Sequence, residues 1–179
     1  MYQQIEELQK SLNQLQKEYW IHTDLFSFQW WVIAIVNFAL ILLFIFLIDR
    51  QRILPITIAF LVAFITVGTL DETGVKFNLW QYPHQLLFFT ARFNAADFGI
   101  VPSLVALLYQ YCSKWKPYII GNLLVSALIS FVGAPLFTKM GIYKLLNWNY
   151  LYSFLVSLIS LIVIKAIVDL IVKKSKSYN

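Results

Sequence analysis

Residues 30–48 read WWVIAIVNFALILLFIFLI. Asn37 is the one strongly polar member of these 19 residues. A helix needs roughly 20 such residues to cross a hydrocarbon layer about 30 Å thick, so this stretch sets the class of the whole fold. Asp49, Arg50, Gln51 and Arg52 end the run with two positive charges, and a second apolar run over 53–70 follows at once. So short a link makes the two helices antiparallel neighbours. Further runs at 96–112, 118–137 and 150–171 bring the expected spans to about five. The third has Asp97 at its start and Pro102 inside, Pro117 suits the first turn of the fourth, and Pro135 stands near that span's end. Backbone groups in lipid have no water to bond, so runs of this length close their hydrogen bonds as helices. They are continuous and do not alternate, unlike the strands of a membrane barrel. The expected fold is all-α: a polytopic membrane helix bundle over 29–171, preceded by an amphipathic N-terminal helix over 1–28 and followed by a basic tail over 172–179.

Composition agrees. Of the 179 residues, 60% are hydrophobic and 13% charged, whereas a soluble domain is about 45–50% apolar. The formal charge of +5 comes from 14 basic and 9 acidic residues. The basic ones sit in small groups beside the apolar runs and form no patch, which argues for membrane orientation and against nucleic acid. Arg50, Arg52, Lys114, Lys116, Lys173, Lys174 and Lys176 share one side when the loops after the first, third and fifth spans are placed together. Their compact clustering puts the C-terminus in the cytoplasm and the N-terminus outside, in a multi-pass cell-membrane protein. Cys112 is the only cysteine, so no internal disulfide and no CxxC metal site can form. Polar residues run from Tyr2 to Glu18 where a cleavable signal would have its apolar core, and the first span is expected to stay as a signal anchor.

Within the N-terminal segment, Ile5, Leu8, Leu12, Leu15 and Tyr19 recur at three- and four-residue steps on a helix otherwise rich in Gln and Glu. Such a seam fits self-association as a homo-oligomer, and it equally fits a helix lying on the membrane surface or against the bundle.

Chemistry-bearing residues gather in residues 70–97, LDETGVKFNLWQYPHQLLFFTARFNAAD. Asp71 and Glu72 follow the second span, Asp97 precedes the third, and the three acids can share one membrane face as candidate catalytic or proton-handling groups. With His84 and Arg92 they form an expected polar cluster, in which Arg92 pairs with Asp97. Trp80, Tyr82 and Trp148 are expected as interfacial anchors. His22 is the one other histidine and no HExxH or grouped His/Cys pattern exists, so neither a metal site nor a cofactor is expected. No GxSxG or glycine-rich phosphate loop occurs. Late in the fifth span, Lys165 and Asp169 stand four residues apart on one helix face, and Lys165 is expected to snorkel to the headgroups.

The motifs LDETGVKFNLWQYP, RFNAADFGIVPSLVALLYQY and SFVGAPLFTKMGIYKLLNWNYLYSF together resemble an uncharacterised family of small multi-span integral membrane proteins of spore-forming Bacillota. The matching positions are Asp71, Trp80, Tyr82, Asp97, Pro102, Tyr109, Gln110, Pro135, Trp148 and Tyr152. The resemblance implies a multi-span bundle and no particular reaction. A fainter similarity, an acid near a span end followed by a Trp and a second aromatic, links residues 71–82 to carotenoid-cyclase-type membrane domains, whose proline followed by paired glutamates is missing here. Two functions are therefore expected. One is a non-enzymatic membrane component supporting a partner complex or small-solute passage. The other is a membrane-embedded enzyme acting on a lipid or isoprenoid through Asp71 or Glu72. A bundle with no site at all is the plain structural alternative.

Overall fold

A computed structural model describes residues 1–89 and 99–176, with Lys176 by its backbone alone. The fold is all-α. Helix α1 (Tyr2–Tyr19) runs into a π turn, Trp20–Asp24, closed by the Leu25 N–H on the Trp20 carbonyl at 2.7 Å. The chain then reverses through Phe26, whose φ of 61° is costly for a non-glycine residue. Ser27 caps α2 (Phe28–Leu47) by accepting from the Trp30 N–H. A 3-10 turn (Arg50–Arg52) leads to α3 (Ile53–Lys76), as the four-residue polar link requires. There follow α4 (Ile100–Tyr111), α5 (Trp115–Leu128), α6 (Ala134–Lys139) and α7 (Tyr150–Lys176). A π turn, Ile129–Gly133, joins α5 and α6 into one rod.

Among the described residues, four helical stretches are long and apolar enough to cross a membrane: Phe28–Leu47, Arg50–Lys76, Trp115–Lys139 and Tyr150–Ser175. Cross-links sort the loops onto two faces. On the first, Trp30 Nε1 donates to the Leu86 carbonyl, Gln29 reaches the Met140 carbonyl, and β1 (Trp80–Gln81) pairs antiparallel with β2 (Lys144–Leu145). On the second, Asp49, Arg52 and Gln110 bond to one another and Lys165 bonds Ser113. These are called the N-terminal and C-terminal faces.

Of the third span expected at 96–112, the structure describes residues 99–112. Its described helix, α4, has 12 residues and a length of roughly 18 Å, too short to cross alone. It is buried nearly all round, through Val101, Pro102, Ser103, Val105, Ala106, Leu108, Tyr109 and Gln110. Ala59 and Ala63, one turn apart on α3 and fully buried, let α4 approach closely. An apolar run reads the same whether its helix faces lipid or is enclosed by other helices, so sequence spacing alone does not reveal that this helix is enclosed.

Polar side chains hold both ends of α4. Buried Asn37, halfway along α2, accepts the Gly99 N–H at 3.0 Å and donates to the Ile33 carbonyl at 2.8 Å. A Cβ on Gly99 would come within 2.9 Å of the Asn37 carbonyl oxygen, so the approach requires glycine. At the other end, Gln110 donates to the Leu47 carbonyl and accepts the Asp49 N–H, both at 2.9 Å.

Lys165 does not snorkel. It is fully buried, donates to the Ser113 carbonyl at 3.0 Å, pairs with Asp169 at 3.1 Å, and lies about 5 Å from the ring centres of Tyr109, Trp115 and Tyr118. Three ring faces and a carboxylate replace the water that the ammonium gives up. Lys165→Ala removes every one of these contacts and leaves the Ser113 carbonyl without its donor. The expected loss is about 3 to 5 kcal/mol of stability, measured as a lower denaturation midpoint in detergent micelles. A midpoint equal to the parent's would mean that the buried lysine contributes nothing.

Candidate intramembrane binding site

Two helix ends frame the site, and both close in the same way. At the end of α3 the Leu79 N–H bonds the Gly74 carbonyl and the Asn78 N–H bonds the Val75 carbonyl, with Asn78 at φ 53°. At the end of α6 the Ile142 N–H bonds the Phe137 carbonyl and the Gly141 N–H bonds that of Thr138, with Gly141 at φ 76°. Each is a Schellman motif, which needs a left-handed residue just past the helix and turns the chain sharply. The two turned-back strands, β1 and β2, then meet with Trp80 opposite Leu145. This ties the segments that follow α3 and α6 together on the N-terminal face.

The turn at Asn78 folds Trp80 back over α3. Its indole lies where a Cβ on Gly74 would overlap it. Gly74 is thus a notch, and it lets Trp80 Nε1 donate to Asp71 Oδ1 at 2.8 Å. Tyr82 donates its hydroxyl to the same oxygen at 2.7 Å. Trp148 stands edge-on to Trp80 at 5.2 Å and donates to Ser153 Oγ. Tyr143 packs against Tyr82 at 5.3 Å.

Beneath this polar roof lies a cavity of about 510 Å³. Its walls are Val67 and Leu70 of α3, Ile100, Val101 and Leu104 of α4, the π turn and α6, and Val156, Ser157 and Leu161 of α7. Val36 and Leu40 of α2 face Leu128, Val132 and Leu136 across it. The last three side chains are also half exposed. Among the described residues, α2 packs along α4 and meets the rod in one hydrophobic cluster, Ile33 and Ala34 with Phe137 and Ile142, and the half-exposed leucines and valine mark the cavity's mouth between α2 and the rod.

Asp71 is 6% exposed, yet its Oδ2 is buried and has no hydrogen-bond partner among the described residues. A buried acceptor left unpaired costs about 1–3 kcal/mol, more if charged. In a carboxylate lining a cavity, that cost marks a place for a ligand donor. The aromatics serve this carboxylate: the indole of Trp80 and the phenol of Tyr82 fix one oxygen and thereby aim the other.

The remaining residues of the expected cluster fall elsewhere. Glu72 is exposed and outside the cavity wall. His84 Nδ1 meets Asp24, not Asp71, at 2.9 Å. Asp24 is 1% exposed and its second oxygen accepts the Gln85 N–H at 2.7 Å. With Trp20 Nε1 on the Gln85 carbonyl, this pair straps the N-terminal segment to residues 84–86. Arg92 and Asp97 lie outside the described residues. Among those described, no group of three His, Cys, Asp or Glu is placed to hold a metal.

Sequence reasoning missed Asp24, whose partner is 60 residues away, and Tyr143, which only the β1–β2 pairing brings to the roof. It also missed Ser130, a cavity-lining residue for which Pro135 was the available signal. Proline disturbs the helix in the turn before it, and there the rod widens into its π turn.

Known protein families, curated proteins and solved structures contain no match to this chain. The geometry of the site therefore carries its own interpretation.

Gly74→Ala is expected to push the Trp80 indole off α3 and break its bond to Asp71, at a cost of about 1–3 kcal/mol. The indole N–H resonance of Trp80, identified by its loss in Trp80→Phe, reports this as a shift out of the hydrogen-bonded range. An unmoved resonance would show that the notch is not needed.

Proposed function

We propose that this chain is a cell-membrane protein that binds an apolar, lipid- or isoprenoid-like molecule within the bilayer, with the ligand's hydrogen-bond-donating head on Asp71. The observation that carries this is the unpartnered, buried Oδ2 in the wall of a mainly apolar cavity whose mouth lies between α2 and the α5–α6 rod. A chain of methylenes suits the walls, while the ring faces of Trp80, Tyr82 and Trp148 suit the unsaturation of an isoprenoid. A hydrated solute would find few partners below Asp71, which makes passage of a small solute the weaker reading. Basic residues at the span ends of the C-terminal face, Arg50, Arg52, Lys114, Lys116, Lys173 and Lys174, support placing that face in the cytoplasm. Asp71 would then sit toward the outer leaflet.

The head-group contact is testable with geranylgeraniol and its methyl ether, titrated into protein in lipid nanodiscs and followed by tryptophan fluorescence. The alcohol is expected to bind about tenfold tighter than the ether, since only the alcohol donates to Oδ2. Asp71→Asn keeps an acceptor for Trp80 and Tyr82 but presents an N–H₂ to the cavity, and should abolish or invert that preference. Equal binding of alcohol and ether by the parent protein would sink the proposal.

A second reading, self-association, is favoured by α1. Its seam residues Ile5, Leu8, Leu12, Leu15 and Tyr19 are all exposed, and no residue of the helix is buried. Removing residues 2–19 is expected to convert a dimer to a monomer in detergent-corrected sedimentation. A full-length chain that is monomeric at every concentration would overturn this.

A further inference from the structure

We infer that Ser130 is a second polar anchor of the cavity, and that the ligand is a ring-bearing apolar molecule with two oxygen functions, the chemistry of a prenylated hydroquinone. This rests on the cavity's being a binding site for an apolar molecule, as proposed above.

Hydroxyls on apolar helices normally bond their own backbone. Thr69, Thr73, Thr138 and Ser160 all donate to the carbonyl four residues earlier, at 2.7 to 2.9 Å. Ser103 and Ser130 do not: both are fully buried, with no partner for Oγ among the described residues. Of these two, Ser130 lines the cavity. It sits in the π turn, where the Ala134 N–H bonds the Ile129 carbonyl. Such turns re-aim side chains at the cost of regular hydrogen bonding, and they recur at ligand sites.

Asp71 Oδ2 and Ser130 Oγ are thus two unpaired polar atoms on two elements of one cavity wall, α3 and the π turn. A six-membered ring carrying oxygens at opposite positions offers one polar atom to each. One hydroxyl donates to Asp71 Oδ2 and the other oxygen pairs with Ser130 Oγ, which can donate or accept. The ring lies beneath Trp80, Tyr82 and Trp148, and the chain leaves through the mouth between α2 and the α5–α6 rod.

The experiment compares a hydroquinone, held reduced under argon, with the corresponding single-hydroxyl phenol, both bearing the same geranylgeranyl chain. Binding to protein in nanodiscs is measured for the parent, Ser130→Ala and Ser130→Thr. The parent is expected to bind the hydroquinone about tenfold tighter than the phenol. Ser130→Ala should lower hydroquinone affinity to the phenol's level and leave the phenol unchanged, and Ser130→Thr should restore the difference. Equal affinities in the parent, or an equal loss of both ligands in Ser130→Ala, would overturn the role of Ser130 while leaving the cavity's function intact. Failure of both ligands to bind the parent would overturn the cavity reading and this inference with it.

Discussion

A peptide group that leaves helical geometry inside a hydrocarbon layer must find its hydrogen bonds in the protein, because lipid offers none. This constraint governs the third pass. Helix α4 begins at Gly99, level with Asn37 in the middle of α2, and the Asn37 amide supplies the acceptor that lipid cannot. Its far end is held by Gln110, bonded to the end of α2 and the start of the next link. With both ends satisfied, a helix of 12 residues can stand at the centre of the bundle. It serves as the common core on which α2, α3 and α5 pack.

A short central helix has a consequence for the space around it. The long helices continue toward the N-terminal face beyond the start of α4, where Ile33 and Ala34 of α2 share a hydrophobic cluster with Leu86, Phe137 and Ile142, beside the bonds from Trp30 to Leu86 and Gln29 to Met140. Among the described residues, the cavity has α2 on one side and the α5–α6 rod on another. Two of the three buried polar side-chain atoms without a partner among the described residues, Asp71 Oδ2 and Ser130 Oγ, belong to residues of this cavity's wall; the third is Ser103 Oγ on α4. Where helices pack tightly near the C-terminal face, the polar groups are paired instead: Tyr118 donates to the Leu161 carbonyl, Asn122 to the Leu158 carbonyl, and Lys165 to Ser113. One half of the molecule is thereby built for rigidity and the other for accommodation.

The two Schellman-closed ends couple these halves. They turn the chain within the first residues beyond each helix, so that β1 and β2 meet as a small lid of two strands carrying Trp80 and leading to Trp148. The lid cannot shift without breaking the Trp80 and Tyr82 bonds to Asp71. One oxygen of Asp71 thus fastens the lid, while the other is buried without a partner among the described residues.

Sequence alone determined the all-α class, the link at Asp49–Arg52, the long apolar stretches and the seam of α1, because each depends on local periodicity and length. It also singled out Asp71, Trp80, Tyr82 and Trp148 as residues to watch, since polar and aromatic groups beside apolar runs are costly to place without purpose. Tertiary structure decided what apolarity cannot encode. The run at 96–112 contains an enclosed helix; Lys165 is caged by three rings from α4 and α5; His84 belongs with Asp24 and not with Asp71. In each case the deciding partner lies far along the chain, and hydrogen bonds and cation–π contacts at such separations leave no periodic trace in sequence. The cavity is of the same kind, since an empty volume is a property of how helices fail to meet.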